Sequence, residues 1–513
     1  MKKTVYLVVP EKIGVIAPEI YGHFTEHIGG VFRDGVWVGK GSEIPNIRGF
    51  RKEIVEKLRR ISPSVIRWPG GCFAETYHWR DGIGADRPVR VGWWTSYDGR
   101  MEPNEVGTHE FMDFCGMVGA KPYFAVNLTS VPPMEAREWV EYCTAPRGST
   151  TLALEREKNG SPEPFDIPFW GIGNENWGDG GHMSPEFYAL EYRRFSSVVG
   201  NLLRRRDGTR LGDLICCGAN GPDYAWTQGV TAGLAGSKAP VDGMSIHYYC
   251  GNSDGKAGQA TDFTVENWYD LVNRAEAMEE VILRHFAVLQ GYGMEKQMKL
   301  VVDEWGCWHP EGSGPSAGGN LFEQQSTMRD AVIAALTLNI FNNHCDKVRM
   351  ANLAQLCNNL HSLFLTQGEK CVTTPNYGVF ELFRSHQGAE AIRTVTQDNA
   401  DPAARLSVSA SVKDGDVTLT LANCSCEQSV TVEPVLLGAG WAGDGKAYLL
   451  SGEDMHAHNT FERPDAVAIR EIPLDGRHRL TLPPASVAML HGQIRIGQTP
   501  DGASVRKVPG KHD

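Results

Sequence analysis

The sequence lacks the features that would place a protein in a membrane or outside the cell. It has no apolar run of about 18 residues or more, which a membrane-spanning helix requires. The N-terminus MKKTVYLVVPEK contains two lysines, but Pro10, Glu11 and Lys12 interrupt the apolar run too early for a signal peptide. The 12 cysteines include no CxxC pair and match no disulfide framework or zinc site. We therefore expect a cytoplasmic protein with reduced thiols and no membrane partner.

Positively charged residues are fewer than negatively charged ones. The chain has 50 Lys and Arg residues against 62 Asp and Glu residues, a net charge of −12. Nucleic acids and anionic membranes are bound mainly through Lys and Arg, so we expect neither as a partner. The apolar fraction of 41% is ordinary for a globular protein, and 513 residues indicate two or more domains.

Strand-like and helix-like segments alternate through most of the chain. Helices are predicted at 50–61 and 184–205, the second with Ser184 as its N-cap and Pro185 at its first position. Eight strands alternating with helices predict a (β/α)8 TIM barrel, which we assign to residues 18–384. The eight strand segments are IYGHFTEHIG, SVIRWPG, KPYFAVNL, PFWGIGN, LICCGAN, MSIHYY, LVVDEWG and KVRMANLAQL.

The predicted secondary structure changes after about residue 385, from alternating strands and helices to strands alone. Short alternating segments separated by Gly, Asp and Pro predict an all-β antiparallel sandwich at 385–497. Residues 1–17 are expected to add a strand to this sandwich, and 498–513 are expected to be a loose tail. The strand segments are RLSVSASV, DVTLTLAN, SVTVEPVLL, KAYLLSG, AVAIREI and HRLTLPPASVAML.

Reactive side chains stand at the ends of several predicted barrel strands. Active sites of such barrels lie at the carboxyl ends of the strands. Two glutamates, Glu175 and Glu304, end strands four and seven, and cleavage of a glycosidic bond uses such a pair. One carboxyl protonates the leaving oxygen, and the other attacks the sugar or activates water. The other strand ends carry Glu26, Arg67, His247, Tyr249, Asp303 and Gln355.

The neighbours of the two glutamates have alternative interpretations. Trp177 and Trp305 would form flat platforms for a sugar, or they belong to the core. Asp303 and Glu304 are adjacent on a strand, so alternation predicts that they point to opposite faces and that Asp303 partners a helix cap or a cation. His247 is expected to be a hydrogen-bonded core residue rather than a base.

The glutamate of strand four lies in the stretch GIGNENWGDGG (171–181). Five of its eleven residues are glycine, which weakens regular structure. We expect these glycines to let the chain leave the strand sharply, so that Glu175 and the preceding asparagine both reach the mouth of the barrel.

Two readings from other functional classes stay open at this point. HFTEH (23–27) matches an H-x-x-E-H pattern of zinc peptidases, which needs both histidines on one face of a helix. Tyr21, Phe24 and Thr25 favour a strand there, and Gly22 precedes it, so we expect no such zinc site. A carbohydrate-binding protein without catalysis is the other alternative, and the presence of both glutamates speaks against it.

Several segments together resemble one enzyme family. They are RWPGGCFAETYHWRDGIG (67–84), WGIGNENWG (170–178), SIHYY (245–249), VDEWGCW (302–308), ANLAQL (351–356) and HAHNTFERPDAV (456–467). In this order they resemble glycoside hydrolase family 51, the intracellular α-L-arabinofuranosidases, over nearly the whole chain. The resemblance implies a TIM barrel with a jelly-roll-like sandwich, a retaining mechanism, no cofactor or metal, and a homo-oligomer that is often a hexamer.

The resemblance also implies roles for individual residues. Glu175 would be the general acid/base and Glu304 the nucleophile. Many members have Asn after RWPGG where this chain has Cys72, and a thiol is the weaker hydrogen-bonding group. The implied substrate is arabinan, arabinoxylan or arabino-oligosaccharide, and β-xylosidase or endo-glucanase activity on the same glutamate pair stays open. The remaining implied sugar contacts are Asn174 to the 2-hydroxyl, Glu26 and Arg67 to other hydroxyls, Tyr249 to the nucleophile, and Gln355 in the pocket wall.

Overall fold

The structure is a computed structural model that describes residues 1–205, 207–397 and 405–497. It contains a closed barrel of eight parallel strands and a ten-stranded, mostly antiparallel sheet. Among the described residues, no helix is both long enough and apolar enough to cross a bilayer. The predicted loose tail, 498–513, lies outside the described residues.

The barrel is built from short strands that are buried almost completely. Strands covered on both faces need no polar alternation, which is why these segments read as apolar runs. All eight predicted segments form barrel strands in the predicted order, which confirms the TIM barrel. The barrel closes in the order β2-β5-β6-β7-β8-β9-β10-β11, and β3 and β4 form a separate two-stranded sheet. The strands are β1 (Lys2–Val15), β2 (Gly22–Phe24), β3 (Asn46–Ile47), β4 (Phe50–Arg51), β5 (Val65–Trp68), β6 (Lys121–Val126), β7 (Phe169–Ile172), β8 (Asp213–Cys216), β9 (Gly243–Gly251), β10 (Lys299–Trp308) and β11 (Val348–Ala354).

Helices alternate with these strands, with two predicted boundaries displaced. The helix expected at 50–61 begins at Lys52, because Phe50–Arg51 pairs with β3 as a short strand. The helix expected at 184–205 begins as predicted, with the Ser184 hydroxyl as its cap, but ends at Val199. After Gly200 the backbone turns, and Arg205 N donates to Thr209 O at 2.8 Å, so a turn replaces the last predicted helical residues. The helices are α1 (Lys52–Ile61), α2 (Thr95–Asp98), α3 (Thr108–Val118), α4 (Pro133–Thr144), α5 (Thr151–Lys158), α6 (Pro185–Val199), α7 (Tyr224–Leu234), α8 (Val265–Gly291), α9 (Met328–Asn343) and α10 (Pro375–Phe383).

The second domain is the ten-stranded sheet, in the order β20-β19-β22-β16-β15-β14-β1-β17-β21 with β18 beside β22. The expected segment HRLTLPPASVAML divides into two strands, because Pro483 and Pro484 have no N–H for a strand ladder. The remaining strands are β12 (Phe364–Gln367), β13 (Lys370–Thr373), β14 (Glu390–Thr396), β15 (Leu406–Lys413), β16 (Asp416–Asn423), β17 (Val430–Leu437), β18 (Ala439–Trp441), β19 (Lys446–Ser451), β20 (Ala468–Ile472), β21 (Leu480–Leu482) and β22 (Ser486–Ile496).

The sheet folds over on itself around one apolar core. Val5 and Leu7 of β1 belong to the same buried cluster as Leu449 of β19, although four strands separate β1 from β19 in the sheet order. The N-terminal strand β1 lies parallel to β17 and antiparallel to β14. We propose that the barrel domain spans 18–384 and that 1–17 and 385–497 form the sandwich.

Candidate active site

The carboxyl ends of the barrel strands bring most of the predicted site residues to one opening. Parallel strands end at the same face of a barrel, so residues distant in sequence converge there. Eight of the ten predicted residues contact at least one other member of the set. These eight are Glu26, Arg67, Cys72, Asn174, Glu175, Tyr249, Glu304 and Gln355.

The Glu304 carboxylate is hydrogen-bonded at both oxygens. Arg67 Nη1 donates to Oε1 at 2.8 Å, and the Tyr249 hydroxyl donates to Oε2 at 2.8 Å. Burial raises the pKa of Glu304, His247 opposes that rise, Glu175 adds to it, and Arg67 opposes it. The net effect is a raised pKa. Arg67 and Tyr249 fix the orientation of this carboxylate, and the positive charges of His247 and Arg67 counteract part of the rise.

Glu175 projects from a tight turn immediately after β7. Its φ of +45° is sparsely populated by residues with a Cβ, and Gly173 has a φ of +87°. A side chain at Gly173 would overlap the amide of Asn176. These conformations agree with the expectation that the glycines turn the chain out of the strand. The Cys72 thiol donates to Glu175 Oε2 at 3.4 Å.

The buried carboxylate of Glu75 holds this turn in place. The side chain of Asn176 donates to its Oε1 at 3.1 Å, and Arg67 Nη2 donates to Asn174 Oδ1 at 2.6 Å. Burial raises the pKa of Glu75, and the backbone donors lower it. Sequence reasoning missed Glu75, because nothing in the local pattern marks it as a ligand of a distant turn. Its backbone donors, at 2.5 to 2.9 Å, are Leu128, Thr129 and Asn174.

His247 lies between the two glutamates. Its Nδ1 is 2.7 Å from Glu175 Oε1 and 3.5 Å from Glu304 Oε2, and its Nε2 is 3.1 Å from Asp303 Oδ1. One atom from each of Glu175, His247 and Glu304 lies within 4.8 Å of the other two. Burial lowers the pKa of His247, but the charges of Glu304 and Asp303 outweigh it and raise that pKa to about 10. The ring is therefore protonated near neutral pH, donates to Glu175, and places a positive charge beside Glu304 and Asp303.

His247 is buried and hydrogen-bonded, in agreement with the expectation of a core residue rather than a base, but its partners are the two glutamates of the site. A signal for this was present in the sequence. His247 and Tyr249 are two residues apart on β9, so they share a face of the strand, and the family resemblance implies that Tyr249 is in the site.

Asp303 also contacts the site, contrary to the expectation that it faces away from Glu304. Its Oδ2 is 3.4 Å from Arg67 Nε and accepts a hydrogen bond from the Tyr123 hydroxyl at 2.8 Å. The pairing of β10 with β9 shifts register between Val301 and Glu304, so simple alternation fails there. Asp303 does partner a cation, as predicted, but from inside the barrel.

Glu26 and Gln355 contact each other at the ends of neighbouring barrel strands. Gln355 Nε2 donates to Glu26 Oε2 at 3.2 Å, and Phe73 N and Trp94 Nε1 donate to Oε1 at 2.9 and 3.0 Å. Burial is the largest cause that raises the pKa of Glu26, and the charge of Glu304 adds to it; that pKa is about 7.

Comparison with known proteins agrees with this geometry. The family model described as "Alpha-L-arabinofuranosidase 1 domain" matches residues 57–257, and "Alpha-L-arabinofuranosidase C-terminal domain" matches 303–486. An intracellular exo-alpha-L-arabinofuranosidase of Bacteroides ovatus is 36% identical over 93% of this chain and 93% of its own length. The crystal structure of the family 51 arabinofuranosidase from Xanthomonas axonopodis pv. citri has a TM-score of 0.88 at 36% identity, covering 96% of this chain and 100% of that one.

The chain belongs to glycoside hydrolase family 51. It is a glycoside hydrolase, an α-L-arabinofuranosidase, which sets aside the zinc peptidase and non-catalytic alternatives. A thermostable family 51 α-L-arabinofuranosidase from Thermotoga petrophila RKU-1 is similar at 28% identity, with a TM-score of 0.83 and coverage of 96% and 100% of the two chains.

The two tryptophans proposed as sugar platforms in this family 51 enzyme differ in position. The Trp177 ring lies 6.5 Å from the His247 ring, and its Nε1 donates to Gly218 O at 3.0 Å. Trp305 is only 1% exposed and packs 5.4 Å from Phe341 of α9. Trp177 therefore borders the site, whereas Trp305 is a core residue on which no sugar can stack.

Other aromatic rings line the opening instead, and sequence reasoning missed them. Trp308 lies 5.4 Å from the Tyr249 ring and 5.0 Å from Phe322, and Phe322 lies 5.9 Å from Trp94. Trp308 is an even number of residues after Glu304 on the same strand, so alternation pointed to it. Trp94 and Phe322 lie in loops, where periodicity carries no information.

The HFTEH segment of this family 51 enzyme is not helical. Gly22–Phe24 is a strand, and the His23 ring packs against Phe380 at 4.6 Å. His27 stacks on Phe32 at 4.7 Å, and its Nδ1 is 3.2 Å from Glu102. The two histidines have separate surroundings, as the expectation of no zinc site there requires.

Proposed function

We propose that this enzyme releases terminal α-L-arabinofuranosyl units with retention of configuration, using Glu304 as the nucleophile and Glu175 as the general acid/base. The observation that carries this proposal is the separation of at most 4.8 Å between one oxygen of Glu175 and one of Glu304. Retaining enzymes hold their two carboxyl groups about 5–5.5 Å apart, whereas inverting enzymes leave about 6.5–9.5 Å for a water molecule.

The first step forms a covalent intermediate. A carboxylate oxygen of Glu304 attacks the anomeric carbon, the bond from that carbon to the glycosidic oxygen breaks, and this oxygen takes the proton of Glu175. Protonated His247 donates to Glu175 Oε1 at 2.7 Å, which leaves Oε2, on the Cys72 side, to carry the proton. Arg67 and Tyr249 keep Glu304 oriented towards the sugar.

The second step releases the sugar. Glu175, now ionised, takes a proton from water, and the hydroxide oxygen bonds to the anomeric carbon while Glu304 leaves as a carboxylate. The charge of Glu304 is absent while it is bonded to the sugar, so the same side chain of Glu175 acts as an acid and then as a base. Two inversions at one carbon give net retention.

The sugar contacts follow from the polar groups around the pair. Gln355 Oε1 is buried and has no hydrogen-bond partner among the described residues, so a sugar hydroxyl would satisfy it. We assign Asn174 to the 2-hydroxyl, and Glu26 and Arg67 to other hydroxyls. Cys72 contacts the leaving-group side through its thiol, and Trp177 borders it.

We infer exo action on arabinan, arabinoxylan or arabino-oligosaccharides inside the cell. The Bacteroides ovatus relative is named an intracellular exo-enzyme, and all 12 cysteines of this chain are free, as in a reducing compartment. We also propose a homo-oligomer, a hexamer by family resemblance. Sedimentation velocity tests this, because a monomeric mass would contradict it.

Two variants test the assignment of the glutamates. Glu304→Ala should lose nearly all turnover of 4-nitrophenyl α-L-arabinofuranoside. Glu175→Ala should keep a burst on that substrate and lose far more activity on substrates with poor leaving groups, because only those need the acid. Glu186→Ala, on the exposed start of α6, is the matched control and should act as the wild type does.

The sugar assignment is tested with 4-nitrophenyl β-D-xylopyranoside beside the arabinofuranoside. Preference for the xyloside would be consistent with the catalytic roles of the two glutamates but would contradict the assignment of arabinofuranose as the sugar that is released. Equal loss of Glu175→Ala on good and poor leaving groups would contradict the acid role.

A further inference from the structure

A cavity of about 590 Å³ is lined in part by Phe73, whose backbone N–H donates to Glu26 of the active site, and it has no part in the chemistry described so far. It lies between the segment after β5, the loop around residues 90–104, and the start of α4. Ligand pockets in proteins have volumes of about 300–1,000 Å³, so this cavity is large enough for a bound molecule. We call it the Thr76 groove, lined among others by Phe73, Thr76, His78, Val91 and Met134.

A short 3-10 helix connects the groove to the acid/base. This helix spans Cys72–Thr76; at its start Cys72 contacts Glu175, and at its end Thr76 is exposed in the groove. A 3-10 helix rises about 2 Å per residue, so the backbones of Cys72 and Thr76 are about 8 Å apart. The general acid must touch the glycosidic oxygen, so the leaving part of a substrate extends from the site on the Glu175 side, where this helix lies.

The charges in the groove wall are paired with one another. Arg90 binds both carboxylate oxygens of Asp81 at 2.8 and 3.1 Å, and His78 Nδ1 is 3.0 Å from Glu135 Oε1. Charges that are already paired attract an ionic ligand weakly. The donor and acceptor atoms that these pairs leave unused, together with the hydroxyl of exposed Thr76, can still form hydrogen bonds to a ligand.

The groove also has an apolar component. Val91 is 76% exposed and Met134 is 52% exposed, and both line the cavity. Exposed apolar side chains next to hydrogen-bonding groups match a neutral polyhydroxylated chain, which presents C–H faces and hydroxyl groups together.

We propose that the Thr76 groove binds the leaving-group portion of the substrate, so that the enzyme favours arabinofuranosyl units carried on an oligosaccharide chain. This inference rests on the proposed function, because it takes Glu175 as the acid that faces the leaving group. The class of ligand is a neutral oligosaccharide.

The test compares a chain substrate with one that lacks a chain. Met134→Asp and Val91→Asp are made in the full-length enzyme, and kcat/KM is measured on linear arabinotriose and on 4-nitrophenyl α-L-arabinofuranoside. A buried or hydrated charge in the groove disfavours sugar C–H faces, so the ratio of the two kcat/KM values, triose over aryl glycoside, should fall about tenfold or more in both variants. Leu190→Asp, at an exposed leucine of α6, should leave the ratio unchanged.

The other outcomes overturn the inference in distinguishable ways. A ratio that stays within about twofold of the wild type in both variants would show that the groove binds no part of the chain. A change in sedimenting mass with the ratio preserved would assign the groove to contact with a second copy of the protein. A wild-type enzyme inactive on the aryl arabinofuranoside would overturn the proposed function itself, and the groove inference with it.

Discussion

Replacing Glu26 with glutamine should make the stability of the enzyme less dependent on pH. Glu26 is buried and close to Glu304, and its pKa is raised from 4.5 to about 7. Glutamine has nearly the same shape and carries no charge at any pH. Its oxygen can accept from Phe73 N and Trp94 Nε1, and its amide can donate to Gln355 Oε1 after that side chain rotates.

The magnitude follows from the raised pKa. Between pH 4.5 and about 7 the folded protein binds more protons at Glu26 than the unfolded chain does. Stability at this site is therefore greatest below pH 4.5, falls as pH rises to about 7, and stays low above that. A shift of this size corresponds to about 3 kcal/mol at pH 8 and above. The glutamine variant has no such loss. The stability difference between the variant and the wild type should therefore increase, in favour of the variant, by up to about 3 kcal/mol from low to high pH.

The assay is urea unfolding at 25 °C, followed by tryptophan fluorescence at pH 5 and at pH 8.5. The quantity of interest is the change, between the two pH values, in the stability difference between Glu26→Gln and the wild type. Glu56→Gln, at a side chain 56% exposed, is the control and should show no such change. If the stability difference for Glu26→Gln were the same at both pH values, the reasoning that burial raises the pKa of Glu26 would be refuted.

Two further predictions concern the groups around the glutamates. Tyr249→Phe removes the donor to Glu304, so kcat/KM should fall about 10- to 100-fold and the acid limb of its pH profile should move to higher pH; an unmoved limb would contradict this role. Gly71→Ala places a Cβ 2.5 Å from the Glu26 carboxylate, so KM should rise and the midpoint temperature of thermal unfolding should fall. Gly116→Ala, in a helix with nothing within 4 Å, is its control and should be neutral or stabilising by about 0.5–1 kcal/mol. Equal effects of the two alanines would argue against steric crowding at the site.

The barrel was predictable because its signal is repeated eight times along the chain. Each strand is a short apolar run between two segments with helical periodicity. In a barrel, the residues that follow these strands lie together at one face, so the fold determines where each reactive side chain is. This is why the sequence alone predicts that Arg67, Glu175 and Glu304 lie at the mouth of the barrel. The sandwich is predictable for a similar reason, although alternation alone does not show that two prolines divide its last segment into two strands.

The residues that sequence reasoning misplaced depend on geometry beyond the local period. Asp303 shares the interior with Glu304 because the strand pairing shifts register between them, and alternation assumes that it does not. Trp305 looks like a platform in sequence but faces α9. Glu75 acts on a turn 99 residues away, and no local pattern encodes such a partner.

The central claim, that Glu304 and Glu175 act by double displacement, is tested most directly by the configuration of the first product. The enzyme is allowed to cleave 4-nitrophenyl α-L-arabinofuranoside in the presence of methanol, and the methyl glycoside is identified by proton NMR. Methanol that enters through the covalent intermediate must give methyl α-L-arabinofuranoside, which is the result the close carboxyl pair predicts. The β anomer would show a single displacement and would contradict the account.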